Sequence, residues 1–262
     1  MRRLTFASFL APRLRPLYEY TTAAIGAALG ADARLVSSES VGNLLDGRLD
    51  GAFVCGLPYV DLRDEAGEAV EPLAAPVPIG SRYGGRPVYF SDVVVRADSP
   101  ARVFDDLRGL RFGYNEPESH SGHNAVAGEL ARRGLGGGFF GCRHRTGSHV
   151  ESLRQVGAGE VDTAAIDSHL LDALRADDPT LGPTLRVMAA IGPVAIQPLV
   201  AGPSLAGEER DAVRSAVLAI GSGTAALTES LVERWETVVD ADYDAIRAVR
   251  QVALGSLTTR DG

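Results

Sequence analysis

Strand-like runs alternate with segments of helical periodicity between residues 110 and 175, and this order constrains the fold more than any other feature. The predicted strands cover residues 110–114, 139–143 and 161–166, and the predicted helices cover residues 122–133, 148–156 and 168–175. Strands that follow one another through helices run parallel. The sequence therefore predicts a βαβαβα unit built on a parallel sheet.

Two extended apolar runs, at residues 88–96 and 185–201, lie on either side of this unit. Strand and helix patterns also precede it, and helical patterns over residues 208–220 and 224–236 follow it. Two crossings around an inserted unit predict an α/β fold with two lobes, mixed sheets flanked by helices and a double hinge. We expect lobe one to comprise residues 1–94 and 188–262, and lobe two to comprise residues 95–187.

The composition excludes several classes of protein. At 262 residues and 45% hydrophobic content, the chain can bury a large core. A net charge of −8 argues against a nucleic-acid partner, because binding the phosphate backbone needs clustered Lys and Arg. Cys55 and Cys142 are far apart and form no CxxC motif, so we expect two small buried apolar residues rather than a disulfide framework or a zinc site.

Two apolar stretches resemble membrane or export signals. The run at residues 4–11 is short and is followed by Pro12 and Arg13 without a small-x-small cleavage site, so a first strand is expected there. The uncharged stretch at residues 187–207 contains Gly192-Pro193 and Pro198, which disfavour a membrane span. The sequence as it stands predicts a cytoplasmic location, and an extracytoplasmic one if the start is truncated.

Two predicted helix starts carry polar side chains suited to an anion. Ser119 and Ser121 lie between a predicted strand and a predicted helix, and Ser148-His149 begins the next helix. Free backbone N–H groups at a helix start bind anions without any net positive charge. The alternative for each start is an ordinary N-cap. Because both starts follow parallel strands, they fall on the sheet edge where α/β proteins bind ligands.

Asp167 ends the next predicted strand at the same edge. Its carboxylate could share a proton with an anionic ligand or hold a cationic tail. It could equally be the N-cap of the helix that starts at Ser168. The residues alone leave these alternatives open.

Several motifs together resemble the phosphate/phosphite/phosphonate family of ABC-transporter substrate-binding proteins. Their order and spacing match over roughly residues 1–205. The motifs are Arg86 to Ser99, Asp106-Leu107-Arg108-Gly109, Glu118-Ser119-His120-Ser121-Gly122, Gly147-Ser148-His149 and Gly159-Glu160-Val161-Asp162. The resemblance implies a type II periplasmic-binding-protein fold that closes on a small anion in an interlobe cleft, and an ABC permease as partner.

The resemblance also implies residue roles. Ser119, His120 and Ser121 would grip the phosphonyl oxygens, and His149 would donate to the same group. Tyr89 would reach the ligand from the hinge strand, and Asp167 would contact the ligand's tail or a protonated oxygen.

Two positions depart from the family pattern. His120 stands where Thr or another small residue is common, and Phe53 stands where an aromatic with a hydroxyl, often Tyr, is usual. A less polar ligand tail is consistent with Phe53.

Three further sequence features do not support a cofactor, a metal site or a hydrolase. The Gly-rich segment at residues 134–138 follows a helix rather than a strand, opposite to a dinucleotide fingerprint, so no cofactor is expected. His120 and His123 lack a suitably placed third ligand, so no metal is expected. No G-x-S-x-G motif supports a hydrolase.

The sequence thus predicts a non-enzymatic binder of a phosphonate, phosphite or phosphate-like anion. The alternative is a cytoplasmic enzyme on the same bilobal fold, of the menaquinone or pyrimidine-cofactor biosynthesis type, because fold alone does not determine function. A regulatory ligand-sensing module is a third possibility.

Overall fold

The computed structural model describes residues 1–136 and 138–258, and its contacts divide the chain into two compact units. The first unit comprises residues 1–88 and 194–244. The second comprises residues 89–193 and the C-terminal helix from Ala245 onward. Part of the predicted Gly-rich loop, Gly137, lies outside the described residues.

Strands and helices alternate along most of the described chain. The strands are β1 (Arg3–Ser8), β2 (Asp32–Val36), β3 (Gly51–Phe53), β4 (Glu71–Pro78), β5 (Val88–Arg96), β6 (Arg111–Tyr114), β7 (Cys142–Arg145), β8 (Thr163–Asp167), β9 (Leu185–Ala195), β10 (Leu199–Ala201) and β11 (Val232–Glu236). The α-helices are α1 (Arg15–Leu29), α2 (Gly56–Ala66), α3 (Ala125–Arg132), α4 (His149–Ala158), α5 (Ser168–Asp177), α6 (Leu181–Thr184), α7 (Gly207–Leu218), α8 (Ala225–Glu229) and α9 (Asp244–Thr258).

Shorter helical turns join these elements. A π-helical turn, His120–Asn124, runs directly into α3. The 3-10 turns are Pro12–Leu14, Val41–Leu44, Gly67–Ala69, Ser81–Tyr83, Phe104–Leu107 and Asp240–Tyr243. Within the described part of the chain, no helix is long and apolar enough to cross a membrane.

Each unit is built around one mixed sheet. The sheet of the first unit has the order β11-β4-β10-β3-β1-β2, with β1 parallel to β2 and β3 and with β10 antiparallel to β3 and β4. The sheet of the second unit has the order β7-β6-β8-β5-β9, with β6 parallel to β7 and β8 and with β5 antiparallel to β8. The predicted mixed α/β fold with helix-flanked sheets is confirmed.

The second sheet is covered by helices on both faces. Val93, Phe112 and Ala165 pack with Val126 and Leu130 of α3 on one face. The opposite face presents Val94, Ala164 and Ile166 to Leu153 and Val156 of α4. Because both faces are buried there, β5 and β8 read as largely apolar runs, and this is why the sequence revealed them.

The observed unit boundaries differ from the sequence-based ones. The chain passes between units near residues 88 and 193, whereas the expected boundaries were 94 and 187. Helix α9 groups with residues 89–193 rather than with the first unit. A contact explains this placement, because Val249 of α9 lies against Gly128 of α3, where a Cβ would come within 2.5 Å of the valine side chain.

The prediction of one helix over residues 224–236 was wrong. Helix α8 ends at Glu229, Leu231 adopts a left-handed conformation with φ of 53°, and residues 232–236 form β11 on the edge of the first sheet. Trp235 is buried there. Pairing with β4 therefore outweighs the local helical pattern.

Two further expectations fail in the second unit. The apolar residues Phe139 and Phe140 are buried in its core but precede β7, which covers Cys142–Arg145. Cys142 is exposed and Cys55 is half-buried, whereas both were expected to be buried. The cause for Cys142 is its place on an edge strand whose four residues are all exposed.

Candidate functional site

Polar side chains converge at the carboxyl edge of the second unit's sheet. Strand β6 ends at Tyr114 and continues through Asn115 into the turn that holds Ser119, His120 and Ser121. The neighbouring parallel strands β7 and β8 lead to His149 and Asp167. Parallel strands bring their carboxyl ends to one edge, so residues distant in sequence become neighbours.

The turn at His120–Asn124 is wound more widely than an α-helix. The Asn124 amide donates to the Ser119 carbonyl at 3.0 Å, five residues back, and the Ser119 hydroxyl accepts from the Gly122 amide at 3.0 Å. The backbone N–H groups of His120 and Ser121 form no hydrogen bond with any described residue. Such π-helical turns are rare and often lie at functional sites, and the free N–H groups at this one suit an anion.

His149 connects this turn to the next helix start. Its Nε2 lies 3.3 Å from the Ser121 hydroxyl and 3.5 Å from Nδ2 of Asn115. Burial, the largest effect, lowers the pKa of His149, while the nearby Asp167 carboxylate and the Ala165 backbone oppose that shift. The imidazole is therefore held near neutrality at the edge of the site rather than as a permanent cation.

Gly122 makes this arrangement possible. A Cβ at position 122 would lie 1.7 Å from Oδ1 of Asn115 and 3.2 Å from Cε1 of His149. Oδ1 of Asn115 is buried and has no hydrogen-bond partner among the described residues. The absence of a side chain at Gly122 thus lets the Asn115 amide reach the helix start, where an accepting oxygen still needs a donor.

Strand β5 also holds the turn that contains Ser121 in place. Ser91 pairs with Asp167 across the sheet, and its hydroxyl donates to the Ser121 carbonyl at 2.5 Å. Asp167 is 6% exposed and its Oδ1 accepts from the Leu170 amide at 3.0 Å. Asp167 is therefore the N-cap of α5, which was the alternative to a role in ligand binding. Contact between Asp167 and a ligand stays a prediction.

Tyr89 and Phe53 are buried at different places in the molecule. Tyr89, at the start of the second unit, is 1% exposed, with its ring centre 6.4 Å from that of His120. Phe53 ends β3 in the first unit, where its ring stacks on Tyr18 at 4.5 Å and lies 6.1 Å from Trp235. The second unit thus gathers six of the seven predicted residues, and Phe53 belongs to the aromatic cluster of the first.

Among the described residues, the hydrogen bonds within this polar group involve no Lys or Arg. Arg145, the nearest Arg in sequence to the His149 helix start, forms an ion pair with Glu116. The polar groups that meet here are hydroxyls, amides and imidazole nitrogens. Oriented dipoles of this kind can stabilise an anion, and the nearby charge of Arg143, which lowers the pKa of His123, adds a positive potential.

Three members of the group were not predicted. Asn115 and Asn124 received no role in the prediction, and Ser91 lay within the Arg86 to Ser99 motif without a role. Asn124 lies four residues after His120, a spacing that brings side chains together on a helix, so its signal was present in the sequence. Ser91 had no such signal, because its contact with Ser121 depends on the pairing of β5 with β8.

A large cavity elsewhere in the second unit has different chemistry. It measures about 610 Å³ and is lined by Arg96, Asp98, Asp106 and Asp162, among others. Asp98 pairs with Arg96, and Asp162 pairs with Arg111. Arg96, the cation among the described residues that line this cavity, is therefore already paired with a carboxylate, which disfavours anion binding there.

Structural comparison identifies the same fold in known binding proteins. A binding-protein component of an ABC phosphonate transporter from Pseudomonas aeruginosa is 18% identical, with a TM-score of 0.83 over 100% of this chain and 89% of that one. The PhnD1 protein of Prochlorococcus marinus, solved with methylphosphonate, is 14% identical, with a TM-score of 0.81 over 97% and 99% of the two chains. A protein from Xanthomonas citri solved with ATP is 17% identical, with a TM-score of 0.69 over 100% and 99%.

Family comparison extends this likeness from the fold to the sequence. The family model described as ABC transporter, phosphonate, periplasmic substrate-binding protein matches residues 6–243. This match covers both crossings and every predicted site residue. The chain therefore belongs to the phosphonate substrate-binding protein family of ABC transporters.

Proposed function

We propose that the carboxyl edge of the second unit binds the oxyanion of a small phosphonate. The observation that carries the proposal is the contact between Ser121 and His149 beside the free amides of His120 and Ser121. Hydroxyl, imidazole and amide groups at one sheet edge suit a tetrahedral group with several oxygen acceptors.

The proposed ligand is a small alkylphosphonate, for which methylphosphonate is the natural probe because a structural neighbour was solved with it. Ser119, His120, Ser121 and His149 hold the phosphonyl oxygens in this proposal. Tyr89 and Asp167 contact the ligand from the same unit. We also propose Phe53 as a contact for an apolar part of the ligand, because it has no hydroxyl.

The proposed biological role is delivery of the ligand to an ABC permease from outside the cytoplasm. The family match supports this role, since substrate-binding proteins of this family are periplasmic components of ABC transporters. We further propose that the two compact units are the two lobes expected from the sequence.

Isothermal titration calorimetry tests the proposal. The protein is titrated with methylphosphonate, phosphite, phosphate and methanesulfonate in phosphate-free buffer, and saturable binding of methylphosphonate is expected. A Ser121→Ala/His149→Ala double variant should lose that binding while unfolding at the wild-type temperature. The proposal is wrong if no oxyanion binds the wild type at millimolar concentration, or if the double variant binds methylphosphonate normally.

A further inference from the structure

Helix α9 is a third crossing of the chain between the two units. Tyr243, directly before the helix, is fully buried, its hydroxyl donates to the Ile196 carbonyl at 3.0 Å, and its ring centre lies 4.6 Å from that of Tyr59. These three residues belong to the first unit, whereas α9 from Ala245 onward belongs to the second. The start of α9 is therefore anchored in the core of the first unit.

The described part of α9 buries one face. Ile246, Val249 and Ala253 recur at intervals of three and four residues, with Ile246 fully buried and Ala253 only 7% exposed. Val252 lies outside this face and is 49% exposed. Such spacing is typical of a helix that packs one side on the protein, so Val249 lies on the packed side.

Gly128 of α3 receives the side chain of Val249. Gly128 is buried, and a Cβ at this position would lie 2.5 Å from Cγ1, 3.4 Å from Cβ and 3.6 Å from Cγ2 of Val249. Any side chain at position 128 would therefore displace the valine. Glycine is unfavourable in the interior of a helix, so its presence here is explained by the close approach of α9.

Helix α3 carries the candidate ligand turn at its N-terminal end. The π-helical turn His120–Asn124 runs without a break into α3, and Gly128 lies about 10 Å along the helix axis from Ser121. The hydrogen bond from the Asn124 amide to the Ser119 carbonyl, 3.0 Å long, closes the turn. Because a helix moves as a rigid element, a displacement at Gly128 also moves this turn.

We propose that the packing of α9 on α3 positions the turn at Ser119–Ser121 for the oxyanion, with Gly128 and Val249 as the positioning residues. The inference rests on the proposed function for its binding readout. Coupling between two sites is reciprocal, so a bound oxyanion must in turn tighten the packing of α9. Occupation of the turn is thereby transmitted to the segment that joins the two units.

An exchange of side-chain volume between positions 128 and 249 tests the contact. Gly128→Ala places a Cβ against Val249 and should weaken methylphosphonate binding about fivefold or more, in the range of measured couplings between sites. Val249→Ala removes both Cγ atoms, leaves a gap and should also weaken binding. The double variant brings the two Cβ atoms 3.4 Å apart, an ordinary contact. Calorimetry should therefore find its affinity within about twofold of wild type, because substitutions in contact are not additive.

Two variants serve as matched controls. Val252→Ala makes the same truncation at an exposed position of α9, and Gly157→Ala adds the same Cβ in α4, where nothing lies within 4 Å. Both should bind methylphosphonate normally. Thermal unfolding first establishes that each variant is folded. If the wild type binds and a folded Gly128→Ala protein binds equally well, or if the double variant is as weak as Gly128→Ala, the inference alone is overturned.

Hydrogen exchange in the free protein tests the coupling without a ligand. The Asn124 amide reports the turn, because opening the turn breaks its hydrogen bond to the Ser119 carbonyl. Gly128→Ala should accelerate exchange of this amide together with the amides of α9, about fivefold or more, and the double variant should slow both again. Saturating methylphosphonate should slow exchange of the α9 amides in the wild type.

The outcomes separate this inference from the proposed function. Faster exchange in α9 of Gly128→Ala with unchanged exchange at Asn124 would overturn the inference, even if the wild type binds methylphosphonate. A wild type that binds none of the oxyanions would overturn the proposed function, and exchange at Asn124 would still decide whether α9 and the turn are coupled.

Discussion

The two units bury very different side chains. Of the fifteen buried polar or charged side chains among the described residues, twelve lie in residues 89–193 and three lie in the first unit. The three are Thr21, Thr22 and Ser230. Buried polar groups cost free energy unless they are paired, so their concentration in one unit needs a reason. The proposed oxyanion binding would supply that reason for the cluster at the carboxyl edge.

The contrast is sharpest where strands end in each unit. In the first unit, β3 ends at Phe53, which packs with Tyr18 and Trp235. In the second unit, β6 and β8 end beside Asn115, Ser121 and Asp167. We infer that the edge near Phe53 chiefly stabilises the fold. The polar edge near Ser121 lowers the free energy of unfolding, and we infer that it does so because its groups bind a ligand.

Truncation of Phe53 should have the largest effect on stability. Phe53→Ala opens a cavity between Tyr18 and Trp235 and should lower the free energy of unfolding by about 3–5 kcal/mol. Urea denaturation measures this loss. The matched control is Tyr20→Ala on α1, an exposed position where a change within about 0.5 kcal/mol is expected. A loss below 1 kcal/mol for Phe53→Ala would show that the aromatic cluster is not a stabilising core.

Acid should destabilise the second unit through His120. Burial lowers the folded-state pKa of His120 from its ordinary value of 6.5 to about 4, so the unfolded chain binds the extra proton between these two values. The free energy of unfolding should therefore fall as pH decreases from 6.5 to 4, by roughly 3 kcal/mol from this residue. His149 shifts in the same direction, so the measured quantity is the difference between wild type and His120→Gln across this range. Parallel pH profiles would contradict the burial of a neutral imidazole.

A methyl group at Gly122 should disrupt the second unit's edge. Gly122→Ala places a Cβ where Oδ1 of Asn115 lies, so we expect a loss of about 1–3 kcal/mol in unfolding free energy from overpacking. Methylphosphonate binding should weaken at least tenfold, because the turn must shift. Gly157→Ala is the control, since nothing lies within 4 Å of its Cβ and the substitution lies in a helix. That variant should be equally stable or slightly more stable. Equal affinities for the two variants would mean that the turn does not form the site.

Single substitutions of Ser121 and His149, the proposed ligand donors, should change stability less than the variants above but weaken ligand binding. Ser121→Ala and His149→Ala each remove one hydrogen bond to a charged group, so each should weaken methylphosphonate binding about tenfold or more. His123→Ala lies on the same helix, where its ring packs against Tyr114 at 4.9 Å, and should bind normally. Calorimetry compares the three. Loss of binding in His123→Ala alone would place the site elsewhere.

The sequence revealed the second unit better than the first. Its strands β5 and β8 are largely buried, and two of its helices begin after Ser148 and Asp167, whose side chains cap them, so pattern and caps agree with the structure there. In the first unit, residues 232–236 follow a helical pattern but form β11. The choice depends on pairing with β4, a contact about 160 residues away that no local pattern encodes.

The sequence predicted the position of the site better than the contacts among its residues. Two Ser-containing helix starts after parallel strands located the edge, and the structure brings Ser121 within 3.3 Å of His149. The support from Ser91 and the approach of Asn115 to Gly122 arise from strand register and loop path. These depend on tertiary packing and leave no periodic signal in the sequence.

The most direct test of the account is NMR of the deuterated, ¹⁵N-labelled protein with methylphosphonate. Hydrogen bonds from an amide to a phosphonyl oxygen transmit a measurable coupling between the amide and ³¹P. We predict couplings to the ligand's phosphorus from the backbone amides of His120 or Ser121, which are lost in Ser121→Ala/His149→Ala. Saturating methylphosphonate that leaves both amides uncoupled and unshifted, while other amides respond, would contradict the central claim that this turn holds the oxyanion.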